Sequence, residues 1–163
     1  MLNQADVTTT IKTIPWFLDL SPESIQRLSG IADLRSFEDG EVIFNEGDQH
    51  PYLYVVLEGK VCLESFVPGR GSLPIFTAES LDVVGWSSLT PVVRQKTSTA
   101  RVKGRTLLLS FNANNLMSIC EKDCDLGFVI MRRLANIIAS RLLTHRLHLL
   151  GLISCQHDGN NDV

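Results

Sequence analysis

Closely spaced turn signals divide the chain between Leu34 and Leu109 into short apolar runs. Runs such as Tyr52–Leu57 and Lys60–Phe66 are rich in valine, leucine and aromatic residues, as half-buried strands are. The turn signals are Asp39-Gly40, Asn45–Asp48, Glu58-Gly59 and Pro68–Gly71. Many short strands at nearly regular spacing indicate a β-sandwich or β-roll. We therefore predict a jelly-roll-like β-roll of about eight antiparallel strands.

Helical patterns flank this region on both sides. Ser21 before Pro22 is a typical N-cap and first helical residue, and that helix is expected to end near Gly30. A short helix is predicted to start at Asn112, and a long one covers about residues 126–150. The fold class is therefore α+β, with an N-terminal helix and two C-terminal helices. Residues 14–152 form the predicted domain, between a flexible arm (1–13) and a disordered tail (153–163).

Composition excludes several classes of function. The 163 residues are 44% apolar and 20% charged, which suits one domain with a sizeable core. A net charge of -3 gives no reason to expect nucleic acid or an anionic membrane as the main partner. No apolar run approaches the roughly 20 residues that span a bilayer, and no signal peptide begins the chain, so a cytoplasmic protein is expected.

Cysteine, histidine and acidic residues give no pattern typical of an enzyme. The four cysteines fit reduced thiols, and Cys120 and Cys124 are spaced to share one face of a helix, where a metal or redox pair is the alternative. His145 and His148 lie near the long helix's apolar stripe, where packing or solvation is favoured over haem or metal binding. Without a nucleophile–base arrangement or a phosphate-transfer loop, we expect neither enzymatic activity nor a resident cofactor or metal.

The segment from Val83 to Val102 has the features of an anion-binding loop. The apolar strand Leu81–Val84 leads into Gly85, and Ser87 and Ser88 could cap a short helical turn whose backbone N–H groups point at one spot. A cation on the return limb, Arg94 or Lys96, could close the site. The same residue types also occur in ordinary turns and exposed strands. The candidate ligand-binding residues are Val84, Gly85, Trp86, Ser87, Ser88, Leu89, Arg94, Lys96, Thr97 and Ser98.

Apolar residues of the long helix recur in alternating steps of three and four, which is a heptad pattern. A second stripe, made of Ile130, Leu134 and Ile137, could cover the β-core. The helix thus has apolar surface for its own domain and for a second copy, so we predict a homodimer. The residues of the predicted dimer face are Phe128, Met131, Ala135, Ile138, Leu142, His145 and Leu149.

The order of these elements and three of their motifs resemble a cyclic nucleotide-binding domain, the sensor unit of the catabolite activator and of cyclic-nucleotide-dependent kinases and channels. The motifs are Asp39–Phe44, Glu46-Gly47-Asp48 and Tyr54–Val61. The resemblance covers about residues 15–150. It implies a regulatory module that binds a cyclic nucleotide or another small anion in the loop and passes occupancy to the C-terminal helix.

The loop departs from the pattern of family members that bind cyclic AMP or cyclic GMP. In those members a glutamate after the glycine takes the ribose hydroxyl, and a later arginine takes the cyclic phosphate. Trp86 stands at the glutamate position, and Lys96 stands at the arginine position unless a shift of one or two residues brings Arg94 there. Trp86 could fill the ribose space or form a stacking wall, and the loop hydroxyls could hold a different small anion.

Two alternatives to the sensor remain at this point. A ligand-free interaction domain would keep a vestigial pocket and recruit a partner through the helix face. A transcription factor would need a helix-turn-helix, for which residues 151–163 leave no room, so DNA binding is not expected.

Overall fold

The computed structural model of the protein describes residues 4–90, 93 and 95–158. Three helices, α1 (Gln4–Thr13), α2 (Pro22–Ser29) and later α3 (Ala113–Lys122), accompany the sheet, and α4 (Cys124–Asp158) ends the described chain. The fold separates into two units, residues 1–127 and residues 128–163. The sheet and α1 to α3 belong to the first unit, and α4 from Phe128 onward belongs to the second.

The predicted flexible arm is wrong for the part that is described, because Gln4–Thr13 is helical. Val7 and Ile11 are spaced four residues apart on one face of α1, and both are buried. The helix contacts α2, so its few apolar residues stabilise it by tertiary packing. The predicted start of α2 is confirmed: the Ser24 amide donates to Ser21 Oγ at 3.1 Å, and Gly30 follows the last turn.

Six strands of the described chain form one antiparallel sheet. The strands β1, β6, β3 and β4 are neighbours in that order, while β2 pairs with β6 and β5 pairs with β3. The strands are β1 (Ala32–Phe37), β2 (Val42–Phe44), β3 (Tyr52–Val67), β4 (Gly71–Ala78), β5 (Val83–Val84) and β6 (Thr99–Asn112). This α+β architecture with a β-roll agrees with the sequence prediction.

The strand count is lower than about eight because β3 and β6 are long. The turn predicted at Glu58-Gly59 is instead a bulge inside β3, where the pairing with β6 shifts register on both sides of Glu58. Gly59 has φ +81°, and a Cβ there would lie 2.4 Å from Thr106 Oγ1. The glycine therefore lets one strand bend against its neighbour without ending.

The interior of the β-roll is apolar and continuous. Phe44 of β2, Tyr54 and Val56 of β3, Val84 of β5 and Val102 of β6 belong to one buried cluster. Because residues 54, 56 and 84 are inward-facing positions next to the Gly85 turn, this core fixes where the candidate loop begins.

The two C-terminal helices begin at polar caps. Asn112 Oδ1 accepts hydrogen bonds from the amides of Asn114 and Asn115, and Asp123 Oδ1 accepts one from the amide of Leu126. The predicted disordered tail is wrong as far as Asp158, because α4 continues to that residue. No proline follows Pro91 in the sequence to break the helix. None of the described helices is both long and apolar enough to cross a membrane.

Candidate functional site

The candidate loop begins where the short strand β5 ends at Gly85. This glycine is buried with φ +78°, and a Cβ would lie 2.7 Å from the carbonyl oxygen of Tyr52. Both the left-handed conformation and the close backbone approach therefore require glycine. The strand is shorter than the predicted Leu81–Val84, because Leu81 has φ +74° and lies in the preceding turn.

A 3₁₀ turn, Trp86–Leu89, follows Gly85. The prediction that its serines cap the turn is wrong, because Gly85 itself occupies the cap position without a side-chain hydrogen bond. Ser88 Oγ instead donates to the carbonyl oxygen of Gly85 at 2.8 Å, and Thr90 Oγ1 donates to that of Ser87 at 2.9 Å. These hydroxyls tighten the turn from within, while its first amides have no partner inside the turn.

The return limb of the loop is held by backbone hydrogen bonds at Lys96. The Lys96 amide donates to the carbonyl oxygen of Asp48 at 2.9 Å, and the Gly47 amide donates to the carbonyl oxygen of Lys96 at 2.8 Å. The Asp48 carboxylate closes its own turn by accepting from the amide of Asn45 at 2.8 Å. The Glu46-Gly47-Asp48 motif therefore sets the position of Lys96 through its backbone.

The side chain of Lys96 is directed into the protein and is only 3% exposed. Its Nζ donates to the carbonyl oxygen of Gly85 at 3.0 Å and lies 5.1 Å from the centroid of the Phe44 ring. Among the residues that the structure describes, no carboxylate forms an ion pair with this ammonium. Burial lowers the pKa of Lys96 to about 8, because the charged form has lost most of its hydration.

An aromatic cluster lies beside this ammonium. The His50 ring is 5.5 Å from Phe44 and 5.8 Å from Tyr54, and His50 Nε2 lies 2.8 Å from Tyr54 Oη. The Arg35 guanidinium carbon lies 4.2 Å from the centroid of the Tyr52 ring. Two cations, Lys96 and Arg35, therefore contact rings of this cluster.

Burial and these cations control the titration of the cluster. Burial, followed by the positive charges of Lys96 and Arg35, lowers the pKa of His50, so its imidazole is neutral at pH 7. Burial raises the pKa of Tyr54 to about 12, which keeps its phenol protonated. The aromatic groups around Lys96 are therefore neutral, and the charges that act on His50 are those of Lys96, Arg35 and Asp48.

The sequence analysis did not select Arg35, Phe44, His50, Tyr52 or Tyr54 as site residues. Alternation of Tyr52 and Tyr54 along β3 was the available signal, since residues two apart lie on the same face of a strand. His50 precedes a proline, as a turn residue commonly does, and its neighbours depend on strand pairing that local sequence does not reveal.

The structure brings only part of the predicted ligand-binding set together. Ser88 Oγ and Lys96 Nζ both donate hydrogen bonds to the carbonyl oxygen of Gly85, whereas the Thr97 side chain is exposed. Arg94 lies outside the described residues. Of the remaining predicted residues, Val84, Ser87, Leu89 and Ser98 are buried and Trp86 is partly exposed.

A cleft of about 520 Å³ opens next to the turn. Its walls come from the Gln49–Pro51 segment, the Ser88–Thr90 segment and α3, which contributes Asn114, Met117 and Glu121. His50 lines this cleft and also packs on Tyr54, so the cleft borders the cluster beside Lys96.

The expectation that Cys120 and Cys124 share one face of a helix is wrong, which removes the basis for the alternative of a metal or redox pair. Cys120 is in α3 and Cys124 begins α4, and the non-helical backbone of Asp123 separates the two helices. Within the described ranges, no group of three or more histidine, cysteine or acidic side chains could hold a metal ion.

The predicted dimer face lies along α4. Phe128 is 66% exposed and Leu142 is 69% exposed, whereas Ile130 and Leu134 of the second stripe are buried. Ala135, His145 and Leu149 are also exposed, and Met131 and Ile138 are partly exposed. Apolar side chains of the heptad pattern are therefore available to a partner, and dimerisation stays a prediction.

Comparisons with known proteins agree with this architecture. The sequence model described as "cyclic nucleotide-binding domain" matches residues 34–123. No curated protein sequence matches the chain closely enough to count as a relative.

Three solved structures illustrate the similarity of fold. A putative cyclic nucleotide-binding protein from Geobacter metallireducens GS-15 is 26% identical, with 87% of this chain and 99% of that chain covered and a TM-score of 0.70. The catabolite activator protein of Thermus thermophilus is also 26% identical, with 86% and 63% covered and a TM-score of 0.68. A cyclic nucleotide-binding domain from Methylobacillus flagellatus KT is 18% identical, with 91% and 83% covered and a TM-score of 0.76, which bears on the fold alone.

Proposed function

Because the chain belongs to the cyclic nucleotide-binding domain family, we propose that it is a non-enzymatic regulatory module that binds a small anionic ligand at the Gly85–Lys96 loop. The ligand is a cyclic nucleotide or another small anion of similar charge. Occupancy of the loop is passed on through α4, which pairs with a second copy along the predicted dimer face.

The observation that carries this proposal is the buried ammonium of Lys96. An ammonium has three donors, and one of them is used by the carbonyl oxygen of Gly85. Within the described residues the other two have no acceptor, although the group is only 3% exposed. Burying a charge without a counterion costs several kcal/mol, so such a group suits a site that an anion completes.

The surroundings of Lys96 support a ligand that carries its charge at one end. The Lys96 ammonium and the opening amides of the Trp86–Leu89 turn suit an oxyanion. The aromatic rings of Phe44, His50 and Tyr52 suit the flat or apolar part of the same molecule. A nucleotide has this division into a charged and a flat part.

Two departures from the nucleotide-binding pattern should weaken the binding of a cyclic nucleotide. Trp86 offers no charged acceptor for a ribose hydroxyl, and hydrogen bonds to charged groups are worth roughly 1.5–3 kcal/mol each. Lys96 keeps the positive charge of an arginine but lacks its two-pronged fit to a phosphate. Together these losses amount to about two to four decades of affinity, at 1.4 kcal/mol per decade.

Isothermal titration with cyclic AMP and cyclic GMP tests the proposal, with tryptophan fluorescence recorded alongside. We expect binding of at least one of them with a dissociation constant in the range of about 10 μM to 1 mM. Lys96→Met should abolish the heat, and Trp86→Phe identifies which of the two tryptophans reports it. If neither nucleotide, inorganic phosphate nor a small carboxylate produces heat in the wild-type protein, the ligand-binding function is wrong.

The exposed apolar face of α4 favours a second candidate, a ligand-free interaction domain. In that case the Lys96–Gly85 hydrogen bond closes a vestigial pocket, and α4 alone carries the function. A protein that binds none of these anions but self-associates through the predicted dimer face would support this candidate.

A further inference from the structure

Three leucines in the distal part of α4 form an exposed apolar face, here called the three-leucine face. Leu143, Leu147 and Leu150 are 56%, 59% and 49% exposed. They are spaced at i, i+4 and i+7, which places them in one row on a helix. Three large apolar side chains in a row are the arrangement by which helices anchor in apolar grooves.

The three-leucine face is separate from the predicted dimer face. At about 100° per residue, Leu147 lies about 140° around the helix from Leu142. In a heptad with Leu142 at an a position, residues 143, 147 and 150 fall at b and f positions, which point away from a paired helix. A dimer formed along the predicted dimer face therefore leaves these leucines uncovered.

The charge of this helix indicates what kind of partner fits. Residues 126–157 contain four arginines and no aspartate or glutamate, although the whole chain has a net charge of -3. A further copy of the same helix would bring only like charge to the face. An acidic partner would instead be attracted to the arginines of the helix, and basic proteins would be repelled by them.

Two features favour a protein groove over a lipid surface. No tryptophan, tyrosine or phenylalanine follows Phe128, whereas helices that lie in a membrane interface commonly use such residues as anchors. Viewed down the helix axis, Arg146 lies between Leu142 and Leu150. It is therefore among the apolar side chains and not on the opposite, polar face. A groove with a carboxylate at its rim can pair with that guanidinium, but a hydrocarbon surface cannot.

We propose that the three-leucine face, with Arg146, docks into an apolar groove with an acidic rim on a second protein. The partner is therefore different from this chain, and it binds α4 on the side that a dimer leaves open. In this arrangement the predicted dimer face and the partner-binding surface are carried by the same long helix.

Calcium-loaded calmodulin serves as the test probe, because its groove is apolar and methionine-rich and its carboxylates are numerous. Titration of the full chain with this probe should show saturable binding that weakens as salt is raised. Leu147→Ser and Arg146→Glu should each weaken binding about tenfold or more, as loss of an anchor residue does. Phe128→Ser is the matched control, since it removes an exposed apolar residue of the predicted dimer face near the start of α4, far from Arg146, and should leave probe binding within about twofold.

The same variants distinguish a membrane or a further copy of the chain as the occupant of the three-leucine face. Absence of probe binding at about 100 μM, or equal binding by Leu147→Ser, overturns the proposal. Tighter binding to vesicles of phosphatidylcholine and phosphatidylglycerol than to the probe would assign the face to a membrane instead. Assembly beyond a dimer that Leu147→Ser abolishes would assign it to a further copy of the chain. Far-ultraviolet circular dichroism of each variant verifies that α4 is intact.

Discussion

The ammonium nitrogen of Lys96 lies 3.0 Å from the carbonyl oxygen of Gly85, so the two ends of the candidate loop meet inside the protein. One end is a glycine that tolerates no side chain, and the other is a cation whose burial lowers its pKa to about 8. This relationship makes the loop sensitive to changes at either residue.

Lys96 should make the stability of the protein depend on pH in the alkaline range. The unfolded chain keeps its lysine protonated up to about pH 10.4, whereas the folded protein releases this proton near pH 8. Between these values the unfolded state binds more protons, so the free energy of unfolding attributable to Lys96 rises with pH. We expect a gain of about 2–3 kcal/mol between pH 7 and pH 10 that Lys96→Met lacks.

Urea denaturation of the wild type and of Lys96→Met at several pH values measures this difference. Lys103→Met is the control, because Lys103 is exposed and belongs to the neighbouring strand β6. It should follow the wild-type curve. Parallel curves for the wild type and Lys96→Met would show that the Lys96 ammonium keeps its ordinary hydration.

Gly85→Ala should destabilise the protein by more than its backbone conformation alone requires. A left-handed conformation costs an alanine about 1–2 kcal/mol, and at Gly85 the new Cβ would also lie 2.7 Å from the carbonyl oxygen of Tyr52. Gly69→Ala provides the matched control, since Gly69 has φ +79° and open space around the Cβ position.

Thermal and urea unfolding of both variants should therefore separate the cost of the left-handed backbone from that of the steric clash with the Tyr52 carbonyl oxygen. We expect the free energy of unfolding to fall by about 1 kcal/mol in Gly69→Ala and by about 3 kcal/mol or more in Gly85→Ala. Gly85→Ala should also lose any ligand-induced shift of the unfolding midpoint. Equal losses in the two variants would mean that the backbone at Gly85 can move away from Tyr52.

Trp86→Glu should strengthen the binding of cyclic AMP or cyclic GMP. The substitution supplies a charged acceptor for a ribose hydroxyl, worth roughly 1.5–3 kcal/mol, or about 10–100-fold in affinity. Calorimetric titration measures the gain, and Trp86→Gln is the control that keeps the size of the new side chain without its charge. A gain of the same size in Trp86→Gln would indicate relief of steric blocking by the indole instead.

Phe128→Ser should weaken self-association through the predicted dimer face. Phe128 is 66% exposed in the single chain, and aromatic anchors contribute most to interfaces of this kind. Sedimentation velocity over a range of concentrations should show a dimer dissociation constant raised about tenfold or more. Leu143→Ser, on the three-leucine face, should leave the dimer unchanged, and a wild-type protein that is monomeric at about 100 μM would contradict the proposed dimer.

Local sequence was sufficient for the elements whose signals lie within a few residues of each other. Ser21 and Pro22 start α2, Asn112 caps α3, and repeated glycine turns separate the strands of the roll. Residue type and order also indicate Gly85, and they leave Arg94 and Lys96 as alternatives for the cation. These features depend on backbone conformation and capping, which neighbouring residues determine.

The failures concern segments whose conformation is set from a distance. Residues 4–13 lack a strong helical pattern of their own, and they are helical because Val7 and Ile11 are buried in the folded protein. Glu58-Gly59 has the composition of a turn, but pairing with β6 on both sides keeps β3 continuous through it. Tertiary contacts overrode local propensity in both places.

The sequence by itself determined the β-roll, its flanking helices and the glycine at the loop, because each follows from short-range periodicity and turn chemistry. It left the cation of the loop open between Arg94 and Lys96. Only the tertiary structure decided that Lys96 is buried beside Phe44 with no ion-pair partner among the described residues, and that His50 contacts Tyr54 there. Those contacts join β2, β3 and the loop before β6. Their chemistry arises from burial, which no single segment of the chain can specify.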